Sequence, residues 1–382
     1  MKDKLLNFNW ISFAAMLSLV ALGTLSIRSA GMARDVIFHG MWVSNLVSAV
    51  LGIGIYFVLA SVDYRTIIRY ASPFAYAASL VFLVAVLVVG SKVYGGKRWL
   101  WFFQPSEVAK LAVIMFLAWI LPYMKGFRGF CAAALAAGVP AVLILAEPDL
   151  GTTLALVPAV VAMMLVASVW RTGLLALLGV GMVAAALLLG AVHEAERPGQ
   201  SPERRERILK CVPLRPHQVK RVKTFLYPET DPMGSGYNLR QSLIAIGSGG
   251  LRGKGFGHGE TNRLKFLPQS VSMNDFIFCV YGEETGFVGT MALVSLFGVL
   301  CLSGVWSAFR AGDLTGRLLA IGVSTLVFAH TYINIAMSIG LVPITGLPLP
   351  FISSGRTFLL VVMSGLGLIQ SVNLHREEKE RQ

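Results

Sequence analysis

TGLLALLGVGMVAAALLLGAV, residues 172–192, runs for 21 residues without a charged side chain. At 1.5 Å of rise per residue such a helix covers about 30 Å, the thickness of a bilayer's hydrocarbon core. Working outward, further long apolar runs bounded by charge lie at 10–27, 40–62, 73–90, 106–122, 130–146, 151–170, 286–309, 318–340 and 348–372. The pattern predicts an all-α polytopic membrane protein of about ten transmembrane helices. Composition agrees: 55% of the 382 residues are hydrophobic and 14% charged, against roughly 25% charged in a soluble domain. That excludes a soluble enzyme. The net charge of +13 fits loops beside anionic lipid, and no nucleic-acid partner is expected. Cys131, Cys211, Cys279 and Cys301 form no C-x-x-C pair, and no H-E-x-x-H motif occurs, so neither a metal site nor a disulfide framework is readable.

With a cytoplasmic N-terminus, twelve Lys and Arg residues between Lys2 and Arg381 fall in the inner segments, against Arg28, Arg34, Lys92, Lys97 and Arg98 in the short outer loops. By the positive-inside rule both termini are expected in the cytoplasm. The first span lacks a small-residue cleavage site and is expected to stay as an anchor rather than be removed as a signal peptide. The chain reads as one transmembrane domain, 1–382, containing one long extracytoplasmic loop, 193–274, between the seventh and eighth helices. Loops of that length are usually functional or disordered. Its first part, with Arg204-Arg205-Glu206-Arg207, reads as a solvated, partly helical excursion; its later part, from Thr224 to Asp275, mixes Gly, aromatic and charged residues.

Few ionisable residues interrupt the spans, and each costs at least about 2.5–3.5 kcal/mol at a helix centre unless it finds a partner or water. Glu107 and Lys110 share one helix face and can pair, either as an interfacial cap or as a cavity-lining pair. Asp149 can cap the following helix. Asp275 leads an apolar run too short to span, ending at Glu283-Glu284, which reads as a re-entrant or interfacial helix. A partly desolvated carboxylate there has a raised pKa and suits a general base, though a plain helix cap fits as well. The Gly-rich tract from Ile246 to Gly259 matches neither a Walker A nor a G-x-G-x-x-G pattern. With Arg252 and Lys254 it reads as an anion cradle or as a flexible hairpin. Arg356, placed inside the tenth span, needs a buried acid such as Glu107 or a polar cavity, or else snorkels to the outer surface.

Several blocks in order carry a family resemblance: Gly96-Lys97-Arg98-Trp99-Leu100 with Gln104-Pro105-Ser106-Glu107, then Pro148-Asp149-Leu150-Gly151-Thr152, and Gln241-Ser242-Leu243-Ile244 through Leu251. Asp275-Phe276-Ile277-Phe278 with Glu283-Glu284, and Gly346-Leu347-Pro348-Leu349-Pro350-Phe351-Ile352-Ser353, complete them. Together they resemble the SEDS family (shape, elongation, division and sporulation). Leu214-Arg215-Pro216, Arg221, Asp231-Pro232, Gly236-Tyr237-Asn238 and Asn334-Ile335-Ala336-Met337 look more like its elongation members than its division members. The resemblance implies a glycosyltransferase polymerising lipid II into β-1,4 glycan strands at the outer face of the cytoplasmic membrane, for cell elongation and rod shape. It also implies a class B penicillin-binding protein as partner, alongside other elongation-complex membrane proteins.

By similarity Asp275 is the catalytic residue. Arg98, Trp99, Glu107, Lys110, Asp149, Gln241, Ser242, Arg252 and Lys254 are expected to hold substrate or pyrophosphate, with a divalent cation, Mg or Mn, as a possible aid. Arg356, Glu283 and Glu284 are expected to have structural or modulating roles. Two departures stand out: Leu267-Pro268-Gln269 replaces the family's Leu-Pro-Glu and a loop two residues longer follows, and Arg356 stands where the family has Gly. They fit a divergent active enzyme, an altered partner interface or a weakened polymerase. The competing readings are a lipid II flippase or other transporter, a non-catalytic scaffold of a cell-wall synthase, and a division-type role. A chain of acids continuing to the cytoplasmic side would favour transport, and the inner halves of most spans lack acids.

Overall fold

The computed structural model describes residues 7–32, 40–93, 96–100, 103–147, 149–197, 200–211, 216–264 and 266–376. Lys2, Arg34, Pro148, Leu214, Arg215 and Arg381, quoted above, lie outside them. Apart from one two-stranded hairpin, the regular secondary structure of the described residues is helical.

The membrane helices are α1 (Trp10–Met32), α2 (Met41–Ser61), α3 (Ser72–Val89), α4 (Pro105–Ile120), α5 (Gly126–Ala146), α6 (Leu150–Val166) and α7 (Arg171–Ala195). Then come α8 (Pro202–Cys211), α9 (Pro216–Leu226) and α10 (Ser235–Ser248) within the long loop, followed by α11 (Ile277–Arg310), α12 (Leu314–Ser338) and α13 (Arg356–Leu374). Among the described residues nine helices are long and apolar enough to cross a membrane, and α6 is a shorter apolar tenth. The ten spans read from hydropathy are therefore present.

Burial separates them. Of their most apolar stretches, 67% of α4 and of α12 and 78% of α13 are buried, against 6% of α7, so α4, α12 and α13 form the centre and α7 stands at the rim. α13 packs along α2, and α12 along α11, α6 and α4. At the face carrying Asn7 and Arg376, Tyr64 Oη donates to Asp313 Oδ1 (2.6 Å) and Arg65 Nε to Asp313 Oδ2 (3.3 Å). Asp313 also caps α12 by accepting from Gly316 N (3.0 Å). The four loop segments described below lie at the opposite face, hereafter the loop face.

One sequence expectation is corrected here. The tenth span does not begin at 348: residues 348–355 are non-helical, and the helix starts at Arg356. Pro348 and Pro350 explain this, since each lacks an N–H and biases its predecessor toward extended backbone. Arg356 therefore opens α13 as an exposed residue, and it neither needs a buried acid nor meets Glu107, which pairs with Lys110.

The Gly-rich tract, read as an anion cradle or a flexible hairpin, packs against a break in a helix. Helix α11 breaks at Gly286 (φ 68°, ψ −165°) into a buried half-helix, Ile277–Thr285, and the membrane-crossing remainder. The tract wraps the break. Lys254 N and Gly255 N donate to Glu283 O and Glu284 O (both 3.0 Å), while Gly250 O and Leu251 O accept from Phe287 N and Val288 N (2.8 and 3.1 Å). Backbone freed by the break is thus satisfied by protein, as membrane depth requires, and those N–H groups are not left for an anion. A Cβ at Gly286 would lie 2.3 Å from Gly253 N, and its backbone conformation is open only to glycine. Gly286→Ala is expected to destabilise the protein by at least about 1–3 kcal/mol from backbone strain alone, read as a lowered melting temperature in detergent.

Candidate active site

Four segments converge on a cleft of about 320 Å³ at the loop face. The first is the hairpin of β1 (Ser91–Val93) and β2 (Gly96–Trp99), paired antiparallel with Val93 opposite Gly96. It delivers Arg98 and Trp99 to the wall. The second is the α5–α6 turn. Asp149 caps α6, its Oδ1 accepting from Thr152 N (3.2 Å), while Oδ2 accepts from Gln104 Nε2 (3.3 Å) and lies 4.0 Å from Arg98 Nη1. Capping and cleft-lining are thus one position.

The third segment is 271–275, leading into the buried half-helix of α11, and the fourth is the non-helical run 346–357. Hydrogen bonds join these two. Ser353 Oγ donates to Asn274 O (2.6 Å), Ser354 Oγ to Asn274 Oδ1 (2.7 Å) and Ser354 N to Met273 O (3.1 Å). Gly346, at φ 76°, lies so close that an added Cβ would stand 3.4 Å from Asp275 Oδ2.

Asp275 is half-buried at the mouth of this arrangement. Burial raises its carboxyl to about 6; Arg221 and Arg98 pull the other way, and Asp149 adds to the rise. A carboxylate of this kind is ionised at neutral pH yet basic enough to accept a proton. Arg221 reaches the cleft from α9, held by Nη1 donating to Thr345 O (3.0 Å). Burial and the neighbouring Arg98 cation lower its guanidinium below the ordinary value. Two guanidiniums lining one cleft favour an anionic guest.

Glu107 lines the cleft floor and pairs at 2.7 Å with Lys110, which is fully buried. Lys110 Nζ also sits 2.6 Å from His330 Nε2 and over the Phe358 ring. An ammonium can only donate, so His330 Nε2 is the acceptor and the imidazole is neutral.

The remaining expected residues lie elsewhere. Lys254 bonds Glu283 Oε1 (2.9 Å) and approaches Glu260 (3.5 Å), and Glu283 also accepts from Glu260 N (2.9 Å). Glu284 bonds the Ser29 hydroxyl of α1. None of these groups lines the cleft, nor does exposed Arg252. Ser242 Oγ donates to Ser338 O (2.8 Å), tying α10 to α12, and Gln241 beside it does not line the cleft. Among the described residues no group of three or more His, Cys, Asp or Glu is arranged to hold a metal ion.

Sequence reasoning passed over two residues. Arg221 was read only as a mark of the elongation branch. Glu147, next to the cleft, is fully buried with neither carboxylate oxygen hydrogen-bonded. Burial, then the charge of Asp149, raises it to about 8 from 4.5 despite Arg98. The folded state therefore holds a proton that the unfolded chain releases, and stability falls as pH rises between 4.5 and about 8. Glu147→Gln is expected to remove this slope, up to roughly 1.4 kcal/mol per pH unit, in melting curves recorded across that range.

A family model described as cell cycle protein, covering FtsW, RodA and SpoVE, matches residues 7–378. The peptidoglycan glycosyltransferase MrdB of Escherichia coli K12 is 35% identical over 373 residues, spanning 95% of this chain and 92% of that protein. A probable peptidoglycan glycosyltransferase FtsW of Trichlorobacter lovleyi is 31% identical, spanning 97% and 94%. A chain in a solved peptidoglycan synthase complex, described as coordinating polymerization and crosslinking, superimposes with a TM-score of 0.74 at 30% identity, covering 97% of this chain and 99% of that one.

Proposed function

Because the chain belongs to the FtsW, RodA and SpoVE family of cell cycle proteins, we propose that it is a peptidoglycan glycosyltransferase that polymerises lipid II in the loop-face cleft. The observation that carries the reading is Asp275, a half-buried carboxylate poised near 6 between Arg221 and Arg98. In the reaction Asp275 takes the proton of the acceptor sugar's 4-hydroxyl as that oxygen attacks the anomeric carbon of the donor. The new C–O bond forms as the bond to the undecaprenyl pyrophosphate breaks. The pyrophosphate leaves with the electron pair, and its charge is met by Arg98 and Arg221. A single in-line displacement turns the α-linked donor into a β-1,4 product.

Arg221 thus takes the role first expected of Arg252 and Lys254. Glu107 and Lys110 build the floor, and Asp149 with Gln104 fixes the position of Arg98. The loop face is read as extracytoplasmic, with both termini in the cytoplasm, as the positive-inside rule leads one to expect. A class B penicillin-binding protein is the cross-linking partner, a reading supported by the likeness to a chain from a synthase complex, and the cellular role is elongation. The test is polymerisation of labelled lipid II by purified protein, with and without that partner. Glycan strands are expected. No strands under any condition, with lipid II crossing liposome bilayers, would assign the chain to transport instead.

A further inference from the structure

Asp275 belongs to a loop, and a loop does not by itself hold a carboxylate to the tolerance a proton transfer needs. What fixes it comes from α12. Asn334 is fully buried there, and its Nδ2 donates one hydrogen bond to Asp275 O (2.9 Å) and another to Leu347 O (2.6 Å). Both partners are carbonyl oxygens, so only the NH₂ end of the amide fits, and both its hydrogens are used. The two carbonyls belong to the two cleft walls, 271–275 and 346–357. Asn334 is the one side chain among the described hydrogen bonds that grips the main chain of Asp275 and the opposite wall together. The bond to Leu347 also sets the neighbouring Gly346 against the Asp275 carboxylate.

We infer that Asn334 is a positioning residue for catalysis: its amide clamps Asp275 and the 346–357 wall at a fixed spacing, and so sets where the base sits relative to Arg98, Arg221 and Asp149. The inference rests on the reading of Asp275 as the general base. Asn334 does not line the cleft, so it acts through Asp275 and not on the substrate. Asn334→Leu keeps the bulk and removes both donors; Asn334→Ser is the smaller substitute should the leucine variant not fold.

The experiment measures lipid II polymerisation by full-length protein as a function of substrate concentration and pH, alongside Asp275→Asn and a melting curve for each variant. In the folded Asn334 variant kcat is expected to fall about 10²-fold, as for a catalytic group displaced by about an ångström, with KM little changed. The acid limb of the pH profile is expected to move below that of wild type, because a carboxylate released from its walls regains water. Activity within about twofold of wild type, or a loss that leaves the acid limb where it was, would overturn the inference, since a merely structural defect lowers the amount of active protein without moving its titration. Full activity of Asp275→Asn would instead overturn the assignment of the base, whatever Asn334 does.

Discussion

Asp275→Asn is expected to lower lipid II polymerisation by about 10²–10⁴-fold, the worth of a positioned general base, while the protein still folds and melts near wild type. The amide keeps the size of the carboxyl and remains compatible with the closeness of Gly346, but it cannot take the acceptor proton. The pH profile sharpens the test. Because burial holds the carboxyl at about 6, the wild-type kcat/KM is expected to fall as pH drops through that value and the base becomes protonated. The charged neighbours that set this limb are Arg221 and Arg98, which lower it, and Asp149, which raises it. Residual activity of the asparagine variant is expected to lack the limb. A variant that polymerises at the wild-type rate, or keeps the limb, would remove Asp275 from the chemistry.

The second large effect is expected at the cleft floor. Lys110→Met leaves Glu107 buried opposite no cation, and Glu107→Gln leaves the Lys110 ammonium with only neutral His330 and the Phe358 face. Breaking a buried pair from one side typically destabilises by about 3–5 kcal/mol, since the partner's charge stays in a medium that solvates it poorly. Replacing both together removes the charge as well as the bond. The double variant Glu107→Gln, Lys110→Met is therefore expected to melt well above either single variant. A double-mutant cycle in detergent measures the coupling, and additive losses would show that the two side chains are not paired in the folded protein.

How much of this is legible in the sequence depends on what the decisive contact is made of. The ten spans announce themselves because lipid forces long apolar runs, and the half-helix after Asp275 could be read from an apolar run too short to cross. The pairing of Glu107 with Lys110 follows from their spacing of three. The break at Gly286 is different: its caps are main-chain atoms of residues 250–255, and main-chain partners leave no signature in residue types. A tract rich in glycine beside Arg252 and Lys254 looks like a phosphate loop for the same reason it can wrap a helix end. Arg221 escaped because its place in the cleft is set by the Thr345 carbonyl, 124 positions along the chain. The start of α13, by contrast, was available in Pro348 and Pro350, and hydropathy alone overrode it.

The order in which the chain is made gives the two stitched regions different histories. The carbonyls and N–H groups that satisfy the break in α11 precede it and emerge from the ribosome first, so the break can be closed as soon as it is synthesised. The walls of the cleft cannot. Asn274 must wait for Ser353, 79 positions later, which at about 5–20 residues per second is roughly 4–16 s of translation. Until then the nascent protein has nearly all its helices but no assembled cleft. The cleft walls therefore meet only when residue 353 has been made, just before the chain enters its final helix at Arg356.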